Sequence, residues 1–157
     1  MPRKRVKVTG IEGLNRTFRV LPKAVSNEMR DASKEIIEDI VSDARSRGRG
    51  VSPMYAKYVA PSIVSTRDRT PTLKVGGRRK LPGRNKRPKS DRQRVGNLIF
   101  GGEYGGRKRS VTQQFLPHLG TTGYAVWPAI RAGYDDAIEQ WIDAINKATV
   151  DSARKAG

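Results

Sequence analysis

Apolar residues in the first third of the chain recur at helical intervals: Leu21, Val25, Met29, Ala32, Ile36 and Ile40, with Ile37, Val41 and Ala44 widening the stripe. Steps of three and four put them on one helix face. The pattern predicts a long helix from Pro22, a residue suited to a first helical turn, to Arg47–Gly48, where a basic residue and a glycine signal a C-cap. Before it, 5-RVKVT-9 alternates and reads as a short strand, and Leu14, Phe18 and Leu21 suggest a short lead-in helix. After it, 58-YVAPSIVSTRDRTPTLKVGG-77 alternates weakly and predicts a hairpin. Two compact apolar runs, 95-VGNLIFGG-102 and 124-YAVWPAI-130, are expected to be strands. Pro128 then opens a last helix with Tyr134, Ile138, Trp141, Ile142 and Ile145 as its stripe.

The expected fold is α+β: a small antiparallel sheet packed by one long N-terminal helix and a C-terminal helix, with a long basic loop insertion. The predicted core is Val25, Met29, Ile36, Ile40, Leu98, Phe100, Tyr124, Trp127, Ile138, Trp141, Ile142 and Ile145. The 157 residues read as a single domain, with its core in about 5–66 and 95–150, an extended arm over about 67–94 and a frayed tail at 151–157.

Charge changes this picture. Residues 45–110 hold 19 Lys and Arg against 3 acidic residues, +16 of a formal +17. The densest stretch, 78-RRKLPGRNKRPKSDRQR-94, has nine cations and one carboxylate, Asp91. Two prolines and a glycine exclude a regular helix or a central strand there. Such a run repels itself and calls for a polyanionic partner. The candidate contact residues are Arg78, Arg79, Lys80, Arg84, Lys86, Arg87, Lys89, Arg92 and Arg94, together with Arg107, Lys108 and Arg109. The run contains no aromatic on which bases could stack, so a nucleic-acid partner would be held by its phosphates, without sequence information.

The long helix carries the opposite charge on its polar face. Glu28, Asp31, Glu35, Glu38, Asp39 and Asp43 lie there. Such a face is most simply solvated, with i,i+4 pairs such as Lys34–Glu38 and Asp43–Arg47. A sharper alternative makes Glu28, Asp31, Glu35, Glu38 and Asp39 a subunit interface that meets the basic segment.

Catalytic chemistry finds little support. The absence of cysteine excludes disulfides and thiolate metal sites, and one histidine, His118, gives no basis for a His cluster or a Ser-His-Asp triad. The paired carboxylates Glu38/Asp39 and Asp135/Asp136 are adjacent and diverge on a helix. The glycines of 100-FGGEYGG-106 lack the Gly-Lys-Ser/Thr that opens a phosphate-binding helix and read as a turn. We expect a protein that is not an enzyme and has no catalytic, metal or cofactor site. No run approaches the ~20 apolar residues of a membrane span, and the basic N-terminus lacks the apolar stretch of a signal peptide.

Two blocks together carry a resemblance. The first is Gly10, Gly13-Leu14 and Leu21-Pro22 leading into 29-MRDASKEIIEDIVSDARSR-47; the second is 99-IFGGEYGG-106, then 115-FLPHLGTTGYAVWPAIRA-132 and a closing amphipathic helix. In order and spacing the chain resembles the head-to-tail connector (neck) and tail-completion proteins of long-tailed bacteriophages. The match covers about two thirds of the chain and leaves out residues 67–95. The resemblance implies a virion structural protein assembled in the host cytoplasm, a homo-oligomeric ring of six-fold or twelve-fold symmetry around the DNA channel. Its partners would be further copies of itself, other neck and tail proteins, and the double-stranded DNA passing through, touched without sequence specificity. The alternative reading is a non-enzymatic nucleic-acid-binding protein that contacts phosphates through the 78–94 loop.

Overall fold

The first helix among the described residues, α1 (Lys23–Val51), is uninterrupted by proline and ends where Pro53 forbids its continuation. In the computed structural model, residues 23–81, 94–106 and 115–156 are described. The expected strand at 5–9 and the lead-in helix before Pro22 lie outside them. Gly48 does not cap α1 but sits inside it. A Cβ at that position would lie 2.6 Å from the Tyr55 ring, so the glycine lets the next segment fold back against the helix.

Ser52 starts that return. Its hydroxyl accepts the Tyr55 N–H at 3.2 Å and its carbonyl accepts the Ala56 N–H at 2.8 Å. A π-helical turn (Tyr55–Val59) and a 3-10 turn (Ala60–Ser62) follow and bury Tyr55, Val59 and Ala60. Next comes the predicted hairpin, β1 (Val64–Thr66) paired antiparallel with β2 (Thr72–Lys74), with Ser65 opposite Leu73. Two helices complete the structure, α2 (Gly96–Tyr104) and α3 (Val126–Ala156). The described residues are therefore mainly helical, with one two-stranded antiparallel sheet between an N-terminal and a C-terminal helix.

Both remaining predicted strands are helical, and the reason is local. In 95–104 the apolar and glycine positions turned inward are Val95, Leu98, half-buried Ile99 and Gly102, with buried Glu103 beside them. The first four are spaced three, one and three apart, a helical period that a short apolar run conceals. Residues 126–130 form the first turn of α3, which starts two residues before Pro128. Proline is still tolerated at that place, because the first N–H groups of a helix have no intrahelical partner. At the far end, the tail expected to fray from 151 continues α3 to Ala156.

α1 and α3 run antiparallel. Val25 and Met29 at the start of α1 meet Ala148 near the end of α3. Ile37, Ile40, Val41 and Ala44 meet Val126 and Ala129 near its beginning, together with Ile63. Tyr55, Val59, Ala60, Val95, Leu98 and Ala125 form an adjoining cluster. Fully burying a residue such as Val or Ile contributes about 1.5–3 kcal/mol, so these clusters supply most of the driving force. Leu73 and Val75 pack on them, so the segment assigned to the arm from residue 67 belongs to the folded core until about residue 81.

The predicted core is right in some places and shifted in others. Val25, Met29, Ile40 and Leu98 are buried, Trp141 and Ile145 are partly buried against the first two, and Tyr124 is half-buried. Ile36 is also only half-buried. It lines an open groove between α1 and α3, and Ile37 takes the inward place. Phe100 is 74% exposed, and Trp127, Ile138 and Ile142 lie on the outer side of their helices. On α1 the displacement traces to Ser33. It is fully buried in the inward row, where its hydroxyl donates to the Arg69 carbonyl at 3.0 Å. A satisfied polar residue in a core row makes the apolar pattern look rotated by one position, toward Ala32 and Ile36.

Among the described residues no helix is long and apolar enough to cross a membrane, and no group of three His, Cys, Asp or Glu could hold a metal ion.

Candidate assembly surface at the base of the basic arm

The arm leaves and rejoins the core at one place. After β2, Gly76 (φ 78°) and Gly77 (φ 46°) turn the chain in the left-handed region open to glycine. The Gly76 N–H donates to the Ser62 hydroxyl at 3.0 Å, and the Arg79 N–H to the Gly76 carbonyl at 3.2 Å. Lys80 and Arg94 then form an isolated antiparallel bridge, and the Val95 N–H donates to the Arg79 carbonyl at 2.9 Å. Fully buried Val95 anchors the returning strand. The described residues on either side of 82–93 thus lie side by side.

Of the predicted contact residues, Arg78, Arg79, Lys80 and Arg94 gather at this base, all exposed. Among the described residues none of the four makes an ion pair with a carboxylate. Arg84, Lys86, Arg87, Lys89, Arg92, Arg107, Lys108 and Arg109 lie outside the described residues.

The acidic face of α1 is answered mainly from within the core. Asp31 pairs with Arg67 through both guanidinium edges, Nε to Oδ1 and Nη2 to Oδ2 at 2.9 Å. The hydrogen bonds from Arg67 hold the Asp31 carboxyl below its ordinary range. Glu38 accepts the Ser65 hydroxyl at 2.5 Å and lies 4.0 Å from Arg45, in place of the expected pairing with Lys34. Asp43 pairs with Arg47 as expected, at 2.8 Å. So Asp31 and Glu38 hold the hairpin against α1, whereas Glu28, Glu35 and Asp39 stay exposed and make no ion pair among the described residues.

The residue that organises this half of the molecule is one the sequence reading passed over. Glu103 is only 2% exposed. Its carboxylate accepts the backbone N–H groups of Ala125 (3.3 Å), Val126 (3.1 Å) and Trp127 (2.9 Å), and the Tyr55 hydroxyl at 3.1 Å. Pro128 has no N–H, and the Ala129 N–H reaches the Ala125 carbonyl at 3.2 Å. Every donor at the start of α3 is therefore satisfied, and the negative group sits at the positive end of the helix dipole. Burial, reinforced by the neighbouring Glu103 charge, raises the Tyr55 hydroxyl far above the ordinary phenol range.

The glycines around Glu103 make room for it. A Cβ at Gly102 would stand 2.5 Å from the Tyr55 ring, and one at Gly123 would stand 2.3 Å from the Glu103 Oε1. The Tyr124 N–H also donates to the Glu103 carbonyl at 2.9 Å, the Gly106 N–H to that of Leu116 at 2.8 Å, and the Tyr124 hydroxyl to that of Pro117 at 2.6 Å. The blocks 99–106 and 115–132 are thereby sewn into one unit beside the arm base. His118 lies exposed in the loop of the second block, before α3. The available signal for Glu103 was a lone acidic residue in a glycine-rich run otherwise bordered by cations. Compared with family models, with curated proteins and with solved structures, the chain matches none.

Proposed function

We propose that this chain is a structural subunit of the neck of a long-tailed bacteriophage, assembling as a ring around the DNA channel and joining head to tail. The observation that supports this reading best is the clamped arm base. A small core holds the two flanks of a strongly cationic segment together, and among the described residues the cations at its root have no carboxylate partner. Such a concentration of like charge is neutralised only against a partner of opposite sign. The segment therefore engages only where an assembled partner offers that sign. The reading requires no catalysis and no cofactor. Localisation tests it: gold-labelled antibody against the chain should mark the junction between head and tail in electron micrographs of particles. Label absent from particles, or spread over the head, would refute it.

A second reading has its own support, a sequence pI of about 10.8 and four clustered cations that make no ion pair among the described residues. On that reading the chain binds nucleic acid through phosphates alone. Affinity for duplex DNA would then fall steeply with salt, with a log–log slope near −0.9 for each phosphate neutralised.

A further inference from the structure

We propose that the aromatic ridge on the outer side of α3 is the docking surface for a second copy of this chain, whose cationic arm base meets the carboxylates beside the ridge. The inference rests on the ring reading above and names the surfaces that would build the ring.

Trp127, Tyr134, Ile138 and Ile142 follow one another at steps of seven, four and four along α3, so they share a helix face. All four are at least 36% exposed. The ridge extends onto α2 through Tyr104, whose hydroxyl accepts the Trp127 indole N–H, and through Phe100, stacked on Tyr104 with centroids 6.4 Å apart. Its face is distinct from the one α3 turns toward α1, which carries Ala129, Gly133, Ala137 and Ala148. Among the described residues, the helix thus has two apolar faces and a packing partner for one. A run of exposed aromatic and branched side chains this long marks a contact surface.

Charge selects the occupant. Asp135 and Glu139 flank the ridge, are exposed, and make no ion pair among the described residues. Arg78, Arg79, Lys80 and Arg94 are equally unanswered. One chain therefore carries a cationic arm base and, beside the ridge, the carboxylates Asp135 and Glu139, with no ion pair for either among the described residues, while Arg131 on the same helix is held by the Thr122 carbonyl. A head-to-tail contact between copies satisfies both, once per subunit, and a closed ring satisfies them for every subunit. A ridge-on-ridge pair would bury the apolar residues but leave the arm base unanswered.

The chain contains no cysteine, so single introduced thiols report cleanly. Two full-length variants, Ile138→Cys and Arg79→Cys, each at an exposed position, are mixed and treated with a short bismaleimide. The expected product is a cross-linked dimer with one of each chain, in clear excess over like pairs. The reactivity of Ile138→Cys toward a thiol reagent should also fall as protein concentration rises. A dominant Ile138→Cys pair would replace the head-to-tail contact with a two-fold one and overturn the inference. Protection of Ile138→Cys that is independent of concentration would mean that residues 1–22 of the same chain cover the ridge, which also overturns it. If the unmodified chain sediments as an oligomer and no mixed dimer forms, the ridge is not the contact and the ring reading stands. If it stays monomeric up to the highest soluble concentration with no mixed dimer, both fail.

Discussion

Val41→Asp should abolish folding, whereas Ile36→Asp should leave a folded protein with a modest loss of stability. Val41 is fully buried between α1, α3 and Ile63. A carboxylate there would meet no donor. Burying an unpaired charge costs several kcal/mol, comparable with the whole stability of a small domain at about 5–15 kcal/mol. Ile36 sits five residues earlier, on the rim of the groove between the helices. Aspartate at that rim stays hydrated and loses mainly packing, about 1 kcal/mol. Circular dichroism and thermal melting separate the two. Equal loss of folding in both variants would mean that α1 presents Ile36 inward after all.

Glu103→Ala should be the most damaging change outside the aliphatic core. It removes the acceptor for three backbone N–H groups and for the Tyr55 hydroxyl together. Orphaned buried donors cost about 1–3 kcal/mol each, and water entering the vacated space recovers part of it. A net loss on the order of 4 kcal/mol is expected. Glu103→Gln should cost less, because one oxygen still accepts, although the amide turns donors toward donors. Tyr55→Phe gives up a single hydrogen bond, about 1 kcal/mol. In urea the midpoints should fall in that order at constant slope. Tyr55 adds a pH signature. Its folded pKa lies above the ordinary 10.0, so its contribution is present below pH 10 and is lost as pH rises beyond it, where the unfolded chain ionises first. Tyr55→Phe should flatten the alkaline limb of the stability curve. Midpoints unchanged in Glu103→Ala would contradict the capping role.

Those two sites show what the sequence discloses and what it withholds. The two long helices were legible because their apolar residues repeat over many turns, and the hairpin because alternation is bounded by proline and glycine. The rotation of α1 was not, since Ser33 occupies a core row and its partner is a backbone carbonyl 36 residues away. Residues 95–102 look like a strand because eight residues hold too few turns to show a period, and because Gly101 and Gly102 look like terminators. Each instead admits a ring, Phe115 against Gly101 and Tyr55 against Gly102. Glu103 was invisible for a related reason. Its meaning lies in what it caps, and the capped helix starts more than twenty residues later in the chain. Of the candidate surface, composition revealed the cations. It did not reveal that Lys80 and Arg94 pair, or that Asp31 and Glu38 are already engaged by the hairpin.

The central claim is that the basic arm drives assembly and leaves folding to the core. Its most direct test reverses the arm's charge, with Arg78, Arg79, Lys80, Arg84, Lys86 and Arg87 all changed to Glu in a phage that depends on this chain. The purified variant should melt within a few degrees of the parent, because the three cations at the described base are exposed. Docking should fail, since like charges now face an acidic partner. Electron micrographs of lysates should then show filled heads and separate tails, and infectivity should be lost. Normal infectious particles from the folded variant would contradict the account.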